Sequence, residues 1–210
     1  ILKANFAKNC LMDREHVFSQ MLYPLNSEFP ERKCKVYLLH GDMTDEEMHA
    51  IYKHPKVKAA LSLTHGEGFG LPLFEAAYTP VVTPGRSGQN DFLFNDKHQP
   101  KFYDIGFDIA QIPEEVLWEG VLIRESGWAY AREGSAKEKM RECYNDVRRL
   151  EADPNDTEDN MAAQAAPHAE FLKDKFAEEK MYAKFVSAMG VEEDFDVEDW
   201  VNSLDIEEIE

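Results

Sequence analysis

The chain has 210 residues, and its hydrophobic content of 43% is ordinary for a globular protein that buries a core in one domain. The formal net charge of −18 argues against a nucleic-acid partner, because that binding requires clustered Lys and Arg side chains. No apolar stretch approaches the roughly 20 residues that span a bilayer, and no signal peptide is visible. The three cysteines are widely spaced and odd in number, so we expect reduced thiols and a cytoplasmic protein.

In the first quarter of the chain, short apolar runs typical of strands alternate with segments whose apolar residues have helical spacing. Asp13 is the expected N-cap of the first helix, and Thr44 with Glu47 forms a capping box for the second. The predicted elements, in chain order, are a strand over residues 1–6, a helix over 13–27, a strand over 34–40 and a helix over 44–52.

The alternation continues through the rest of the chain. Strands alternating with helices predict an α/β fold with a parallel, doubly wound sheet. The predicted elements are a strand over 57–63, a glycine-rich turn, a helix over 71–78, a strand over 81–83, a loop over 85–100, a strand over 103–112 and helices over 135–150, 161–171 and 178–189.

Acidic residues are concentrated at the end of the chain. Residues 192–210 hold ten Asp or Glu and no Lys or Arg. We interpret residues 191–210 as an acidic tail, which is either solvated or a docking segment for another lobe or subunit. Residues 1–190 then form the predicted domain.

The most informative segment is residues 65–77, His-Gly-Glu-Gly-Phe-Gly-Leu-Pro-Leu-Phe-Glu-Ala-Ala. It lies on a predicted strand-to-helix turn, where Gly66, Gly68 and Gly70 let the backbone approach a ligand closely. Helix starts offer unpaired N–H groups that suit a phosphate. Glu67 would repel a phosphate, whereas a carboxylate is well matched to the paired hydroxyls of a sugar. The combination favours a nucleotide sugar.

Other interpretations of this turn stay open. Glycine-rich turns often simply close a strand–helix unit. The pattern is not the dinucleotide fingerprint, because Leu71 stands where its third glycine would be, and no Gly-Lys-Ser/Thr phosphate loop is present. His65 is either a ligand contact or a structural histidine. Arg86 and Ser87, in the loop after the next strand, either hold phosphate or belong to a plain surface loop.

The segment from Glu67 to Glu75 resembles the E-x7-E signature of retaining GT-B glycosyltransferases of the group 1 or family 4 type. The resemblance extends over roughly residues 34–190. It is carried by the strand and turn at residues 36–41, the helix at 44–52, the Pro-Val-Val strand with the following Ser-Gly and Asp-Phe at 80–92, Trp128, and residues 176–180.

The resemblance implies a role for each residue that matches the motif. Glu75 would accept hydrogen bonds from the ribose hydroxyls of the nucleotide. Glu67, the candidate catalytic residue, would contact the hydroxyls of the transferred sugar. The diphosphate would meet the N–H groups of Phe69, Gly70 and Leu71, beside Gly66 and Gly68, and the base would lie against Gly41 and Met43.

The resemblance implies that residues 1–190 form a Rossmann-like lobe that binds a nucleotide sugar. The implied activity is transfer of the sugar to an acceptor with retention of the anomeric configuration. The N-terminal, acceptor-binding lobe is missing from this sequence, as is the family's Arg and Lys clamp on the diphosphate, so we expect the fragment to be inactive alone. The alternatives are a non-catalytic, glycosyltransferase-like scaffold, and a phosphorylase or epimerase of the same architecture. We expect no metal site and no cofactor other than the donor substrate.

Overall fold

The computed structural model describes residues 1–190, so the predicted acidic tail lies outside the described residues. The fold is mixed α/β, and the chain divides into a first unit, Ile1–His54, and a second unit that begins at Pro55. The strands are β1 (Leu2–Ala4), β2 (Leu38–His40), β3 (Ala60–Leu61), β4 (Val81–Thr83), β5 (Tyr103–Asp104), β6 (Phe107–Gln111) and β7 (Gly127–Ala131). The α-helices are α1 (Leu11–Val17), α2 (Tyr23–Glu28), α3 (Asp45–Tyr52), α4 (Leu71–Glu75), α5 (Asn90–Leu93), α6 (Glu133–Ala152), α7 (Ala165–Lys175) and α8 (Glu178–Ala188).

The sheets are small and mostly parallel. In the first unit β1 pairs with β2 in parallel, with Lys3 opposite Leu39. In the second unit β3, β4 and β5 form a parallel three-stranded ladder in that order. An antiparallel pair, β6 and β7, completes the described strands. The predicted parallel pairing is present within these two small sheets. A single doubly wound sheet stays a prediction.

The capping box in the first unit is confirmed. Thr44 Oγ1 accepts from the Glu47 backbone N–H at 3.3 Å, and the Glu47 carboxylate accepts from the Thr44 N–H at 2.9 Å. The predicted Asp13 cap was wrong, because Cys10 is the N-cap of α1. Asp13 instead accepts from the N–H groups of Cys10 and Lys8, and its hydrogen bonds with Cys10 lower the pKa of its carboxyl.

The predicted helix over 13–27 is interrupted. A π-helical turn over Phe18–Leu22 separates α1 from α2, and Pro24 stands at the start of α2. Proline has no N–H to continue the helical ladder, so an irregular turn ahead of it is physically reasonable.

The three predicted strands of the second unit are confirmed in place, and two of them differ in length from the prediction. β4 has the predicted bounds and is fully buried, as expected for the middle strand of a parallel ladder. The predicted strand over 57–63 is regular only at Ala60–Leu61. The predicted strand over 103–112 divides at Ile105 and Gly106, where the chain leaves β4 and turns to pair with β7.

Three further predictions, all in the second unit, need correction. The motif helix over 71–78 ends at Glu75. The loop over 85–100 contains a 3₁₀ turn, Ser87–Gln89, followed by α5. Residues 161–171 begin with another 3₁₀ turn before α7, whereas the long charged helix predicted over 135–150 is confirmed as α6.

Two apolar clusters hold the second unit together. One joins α4, α5 and α7 through buried residues that include Leu73, Phe92 and Leu172. The other packs α6 on β4 and β5, with Ile105 and Cys143 at its centre. Burial raises the pKa of the Cys143 thiol to about 12, so this cysteine is an apolar core residue rather than a nucleophile.

Asp146 organises a buried polar network beside the second cluster. Its carboxylate accepts from the Tyr103 hydroxyl at 2.8 Å and from the Met161 N–H at 3.2 Å. Arg149 lies 3.4 Å away. Burial and the bond to Asp146 raise the pKa of Tyr103, which keeps its hydroxyl protonated as a donor. The network ties β5, α6 and the 3₁₀ turn before α7 together.

Within residues 1–190, no helix combines the length and apolar composition needed to cross a membrane.

Replacing Tyr103 with Phe should lower the free energy of unfolding by about 1–3 kcal/mol, because the buried Asp146 carboxylate loses a donor. Urea denaturation followed by circular dichroism measures the change. Tyr144→Phe on the same helix as Asp146 is the matched control, because Tyr144 is largely exposed. Equal stability of the two variants would contradict the structural role of the Tyr103 hydroxyl.

Stability should also fall as the pH drops below about 6.5, the ordinary histidine value. Burial holds the pKa of His168 below that value, and its Nε2–H donates to the Phe92 carbonyl at 2.6 Å. The unfolded chain therefore binds a proton first on acidification. Urea midpoints at about pH 7.5 and about pH 5.5 test this, with His168→Gln reducing the difference. An unchanged difference in that variant would assign the pH dependence to other groups.

Candidate functional site

The motif residues lie at the carboxyl edge of the parallel ladder. The motif loop, residues 62–70, follows β3, and the β4 loop, residues 84–89, follows β4. Because β3 and β4 are parallel neighbours, both loops leave the sheet at the same edge. Ligands of open α/β sheets bind at this edge.

The two loops are in direct backbone contact. The Gly88 N–H donates to the Glu67 carbonyl at 3.1 Å. A Cβ built on Gly88 would lie 1.8 Å from the Gly68 carbonyl oxygen, and one built on Gly66 would lie 3.6 Å from Ser87 Oγ. No side chain fits at position 88 while this contact is kept, so the contact requires glycine there.

Gly70 connects the motif loop to α4. It is the N-cap of α4 with a φ of +87°, a conformation that strongly favours glycine. Its carbonyl accepts from the N–H groups of Leu73 and Phe74 at 2.9 and 3.0 Å. A Cβ there would also lie 3.1 Å from the Gln89 Cβ. The third glycine of the motif therefore serves the turn itself.

Phe69 has a structural side chain and an unused backbone donor. Its ring packs against Phe74, Phe92 and Phe176, with ring centroids 5.2–5.9 Å apart. In the described chain, no group accepts a hydrogen bond from the N–H of Phe69, Gly70 or Leu71. These are the three donors that the motif resemblance assigns to a diphosphate.

The helix dipole adds little at this position. α4 has only five residues, fewer than the motif helix predicted from the sequence. A macrodipole is the sum of aligned peptide dipoles, so a helix of little more than one turn has a weak one. An anion here would be bound by individual N–H groups rather than by the field of a long helix.

The side chains of Glu67 and Glu75 take no part in the hydrogen bonds and ion pairs of the described part of the unit. Both are half-buried, and neither carboxylate makes a hydrogen bond or an ion pair with any residue in 1–190. A half-buried carboxylate without a partner is poorly compensated. Both side chains are therefore available to accept hydrogen bonds from a ligand.

His65 fixes the motif loop to the antiparallel pair. Its Nδ1 lies 2.8 Å from the Ala129 carbonyl oxygen, and its own carbonyl accepts from the Ala129 N–H at 3.3 Å. The imidazole stacks on Trp128 with ring centroids 4.7 Å apart. Of the two interpretations from the sequence, these contacts support a structural histidine.

Gln89 supports the β4 loop and was missed by the sequence analysis. It is 3% exposed, and its amide nitrogen donates to Thr83 Oγ1 at 3.2 Å and to the Pro84 carbonyl. A glutamine inside a Gly- and Asn-rich loop gives no sequence signal of burial. Its burial results from the packing of the loop against the end of β4, where Thr83 and Pro84 accept its amide hydrogens.

Gly41 and Met43 belong to the first unit, whereas the motif residues belong to the second. Gly41 follows β2 with a φ of +111°, donates its N–H to the Ala4 carbonyl and accepts from Lys3 Nζ at 2.6 Å. Met43 is half-buried just before the Thr44 cap. Their expected contact with a base stays a prediction.

His, Cys, Asp and Glu side chains form no group of three or more suited to a metal ion in the described part of the chain.

Comparison with known proteins gave no matching family model, no similar curated protein and no similar solved structure.

Gly88→Ala should lower the free energy of unfolding by about 1–3 kcal/mol, because the new methyl group overlaps the Gly68 carbonyl and forces the loops apart. Urea denaturation measures this. Gly134→Ala is the control: it lies in α6 with nothing within 4 Å of a built Cβ and should gain up to about 1 kcal/mol. A neutral Gly88→Ala would show that the two loops are not held in contact.

Proposed function

We propose that the chain is the nucleotide-sugar-binding lobe of a retaining GT-B glycosyltransferase, built on a Rossmann-like, doubly wound sheet. One observation carries the proposal. Among residues 1–190, the half-buried carboxylates of Glu67 and Glu75 have no hydrogen-bond or ion-pair partner, and in the sequence they flank three unbonded backbone N–H groups that follow a strand of the parallel ladder. The match of these residues to the E-x7-E signature supports the same conclusion.

The chemistry of the donor fits these groups. A nucleoside diphosphate sugar offers hydroxyl donors at both ends and anionic acceptors in the middle. Glu75 accepts from the ribose hydroxyls and Glu67 from the hydroxyls of the transferred sugar. The N–H groups of Phe69, Gly70 and Leu71 donate to the diphosphate oxygens, as backbone donors do at many phosphate sites.

The contribution of this lobe to the reaction is electrostatic. Cleavage of the glycosidic bond leaves charge on the departing diphosphate, and fixed N–H donors stabilise that charge without reorganising. The glutamates bind donor rather than attack it. The acceptor is held by a separate lobe, whose closure on the donor completes the site. The lobe alone therefore binds donor weakly and transfers nothing.

A panel of nucleotides and nucleotide sugars at millimolar concentration tests donor binding by thermal shift. One base series (UDP, GDP or ADP) should raise the melting temperature, since a ligand at 100 times its dissociation constant stabilises by about 2.7 kcal/mol. Glu75→Gln should weaken binding about tenfold or more, because a charged acceptor of the ribose is lost. Glu67→Gln should weaken binding of the nucleotide sugar but not of the nucleoside diphosphate.

Glu119→Gln is the matched control, because Glu119 is exposed and outside the motif. Its affinity should equal that of the unmodified chain. No response to any nucleotide would contradict donor binding and favour the non-catalytic scaffold. If Glu119→Gln and Glu75→Gln weakened nucleotide binding equally, the effect would come from the change in net charge and not from the position of Glu75.

A further inference from the structure

Arg86 lies at the carboxyl edge of the ladder, and its cationic side chain makes no hydrogen bond or ion pair with residues 1–190. It lies in the β4 loop and is half-buried. Its Nη1 atom is buried and has no hydrogen-bond partner, and its guanidinium makes no ion pair within residues 1–190. The guanidinium carbon lies 5.8 Å from the centroid of the Phe107 ring.

An unpaired, partly buried guanidinium is costly, because the charge loses water without gaining an acceptor. A cation over an aromatic ring at nearly 6 Å compensates little of that cost. Arginine presents its donors in a planar fork that matches the oxygens of carboxylates and phosphates. The guanidinium of Arg86 therefore has donors that no acceptor among residues 1–190 uses, and their geometry suits an anion.

The chain does not supply that anion from the neighbouring strands. Asp104, at the end of β5, accepts from the Gly85 N–H at 2.8 Å. Asp108, in β6, is paired with Arg132 through two donors of its guanidinium. That pairing holds the pKa of Asp108 below its usual value, so the carboxylate is ionised and already compensated.

The β4 loop, which contains Arg86, is hydrogen-bonded to the motif loop. Two residues further on, the Gly88 N–H is bonded to the Glu67 carbonyl, so the position of Arg86 is coupled to the motif loop. The unbonded N–H groups of residues 69–71 lie at the same edge of the ladder. An anion at this edge has both fixed neutral donors and a cation within one pair of joined loops.

We propose that Arg86 binds the diphosphate of the donor and neutralises part of its charge. The inference rests on the proposed function, since it assigns a residue to the diphosphate of that same site. It goes beyond the motif, which provides two carboxylates and backbone donors but no cation. Arg86 is a ligand-binding residue whose charge is unsatisfied until the donor arrives.

Isothermal titration calorimetry of the whole chain, with and without Arg86→Met, tests the proposal. The probes are inorganic pyrophosphate, the nucleoside diphosphate that stabilises best in the panel, and its parent nucleoside. Arg86→Met should weaken binding of both diphosphates at least about tenfold, because a charge-assisted hydrogen bond is lost. Binding of the nucleoside should be unchanged, whereas Glu75→Gln should weaken it.

The melting temperature of the protein without ligand gives a second readout, because the expected direction of its change differs from that of an ordinary destabilising substitution. Methionine replaces an uncompensated cation, so the melting temperature of Arg86→Met without ligand should equal or exceed that of the unmodified chain. Arg86→Gln is a second variant with a polar, uncharged side chain and should show the same loss of diphosphate affinity. Arg124→Met is the control, because the exposed Arg124 pairs with Glu114 outside the two loops.

The outcomes separate the two claims. If the unmodified chain binds neither nucleotide nor pyrophosphate, the proposed function fails and the role of Arg86 fails with it. If the unmodified chain binds and both Arg86 variants keep full diphosphate affinity, the inference about Arg86 is overturned while donor binding stands. Equal losses for diphosphate and nucleoside would likewise overturn it and indicate a general disturbance of the loop.

Discussion

The Gly88 N–H bonded to the Glu67 carbonyl joins the loops that follow β3 and β4, and the proposed site depends on this contact. It brings the first glutamate of the motif against the loop that carries Arg86. The approach is so close that a single methyl group at position 88 would overlap the Gly68 carbonyl. The hydrogen bond and the close approach couple the positions of the two loops.

Side chains that support the loops are distinct from those proposed to bind ligand. Phe69 is fixed by an aromatic cluster, His65 by the Ala129 backbone, and Gln89 by Thr83 and the Pro84 carbonyl. The charged groups of Glu67, Glu75 and Arg86 make no hydrogen bond or ion pair with residues 1–190. In a unit whose buried Asp146 and His168 are both hydrogen-bonded, this difference is the main physical reason for regarding the three as binding residues.

Much of the local structure could be predicted because local chemistry determines it. The Thr44 cap and the bounds of β4 follow from short-range patterns, a capping box and a β-branched apolar run flanked by prolines. Features set by distant contacts could not be predicted. The strand predicted over 103–112 divides where Ile105 ends its pairing with β4, and the partner that takes over, β7, lies some 20 residues further on.

The same limit applies to the site. The spacing of Glu67 and Glu75 and the glycines around them are visible in the sequence, as is Arg86 as one of two interpretations of its loop. The burial of Gln89 and the bond between His65 and Ala129 are not, because they join residues that no periodicity relates. The short α4 was overestimated, since the apolar pattern continues past Glu75 into turns at Ala77 and Thr79.

Protein-observed NMR during titration with a nucleoside diphosphate tests the central claim most directly, because it reports on each backbone N–H separately. The amide resonances of Phe69, Gly70 and Leu71 should shift most and saturate together, with Gly88 following through the joined loops. Resonances that stay in place across the motif, or shifts confined to the β6–β7 pair, would contradict the account.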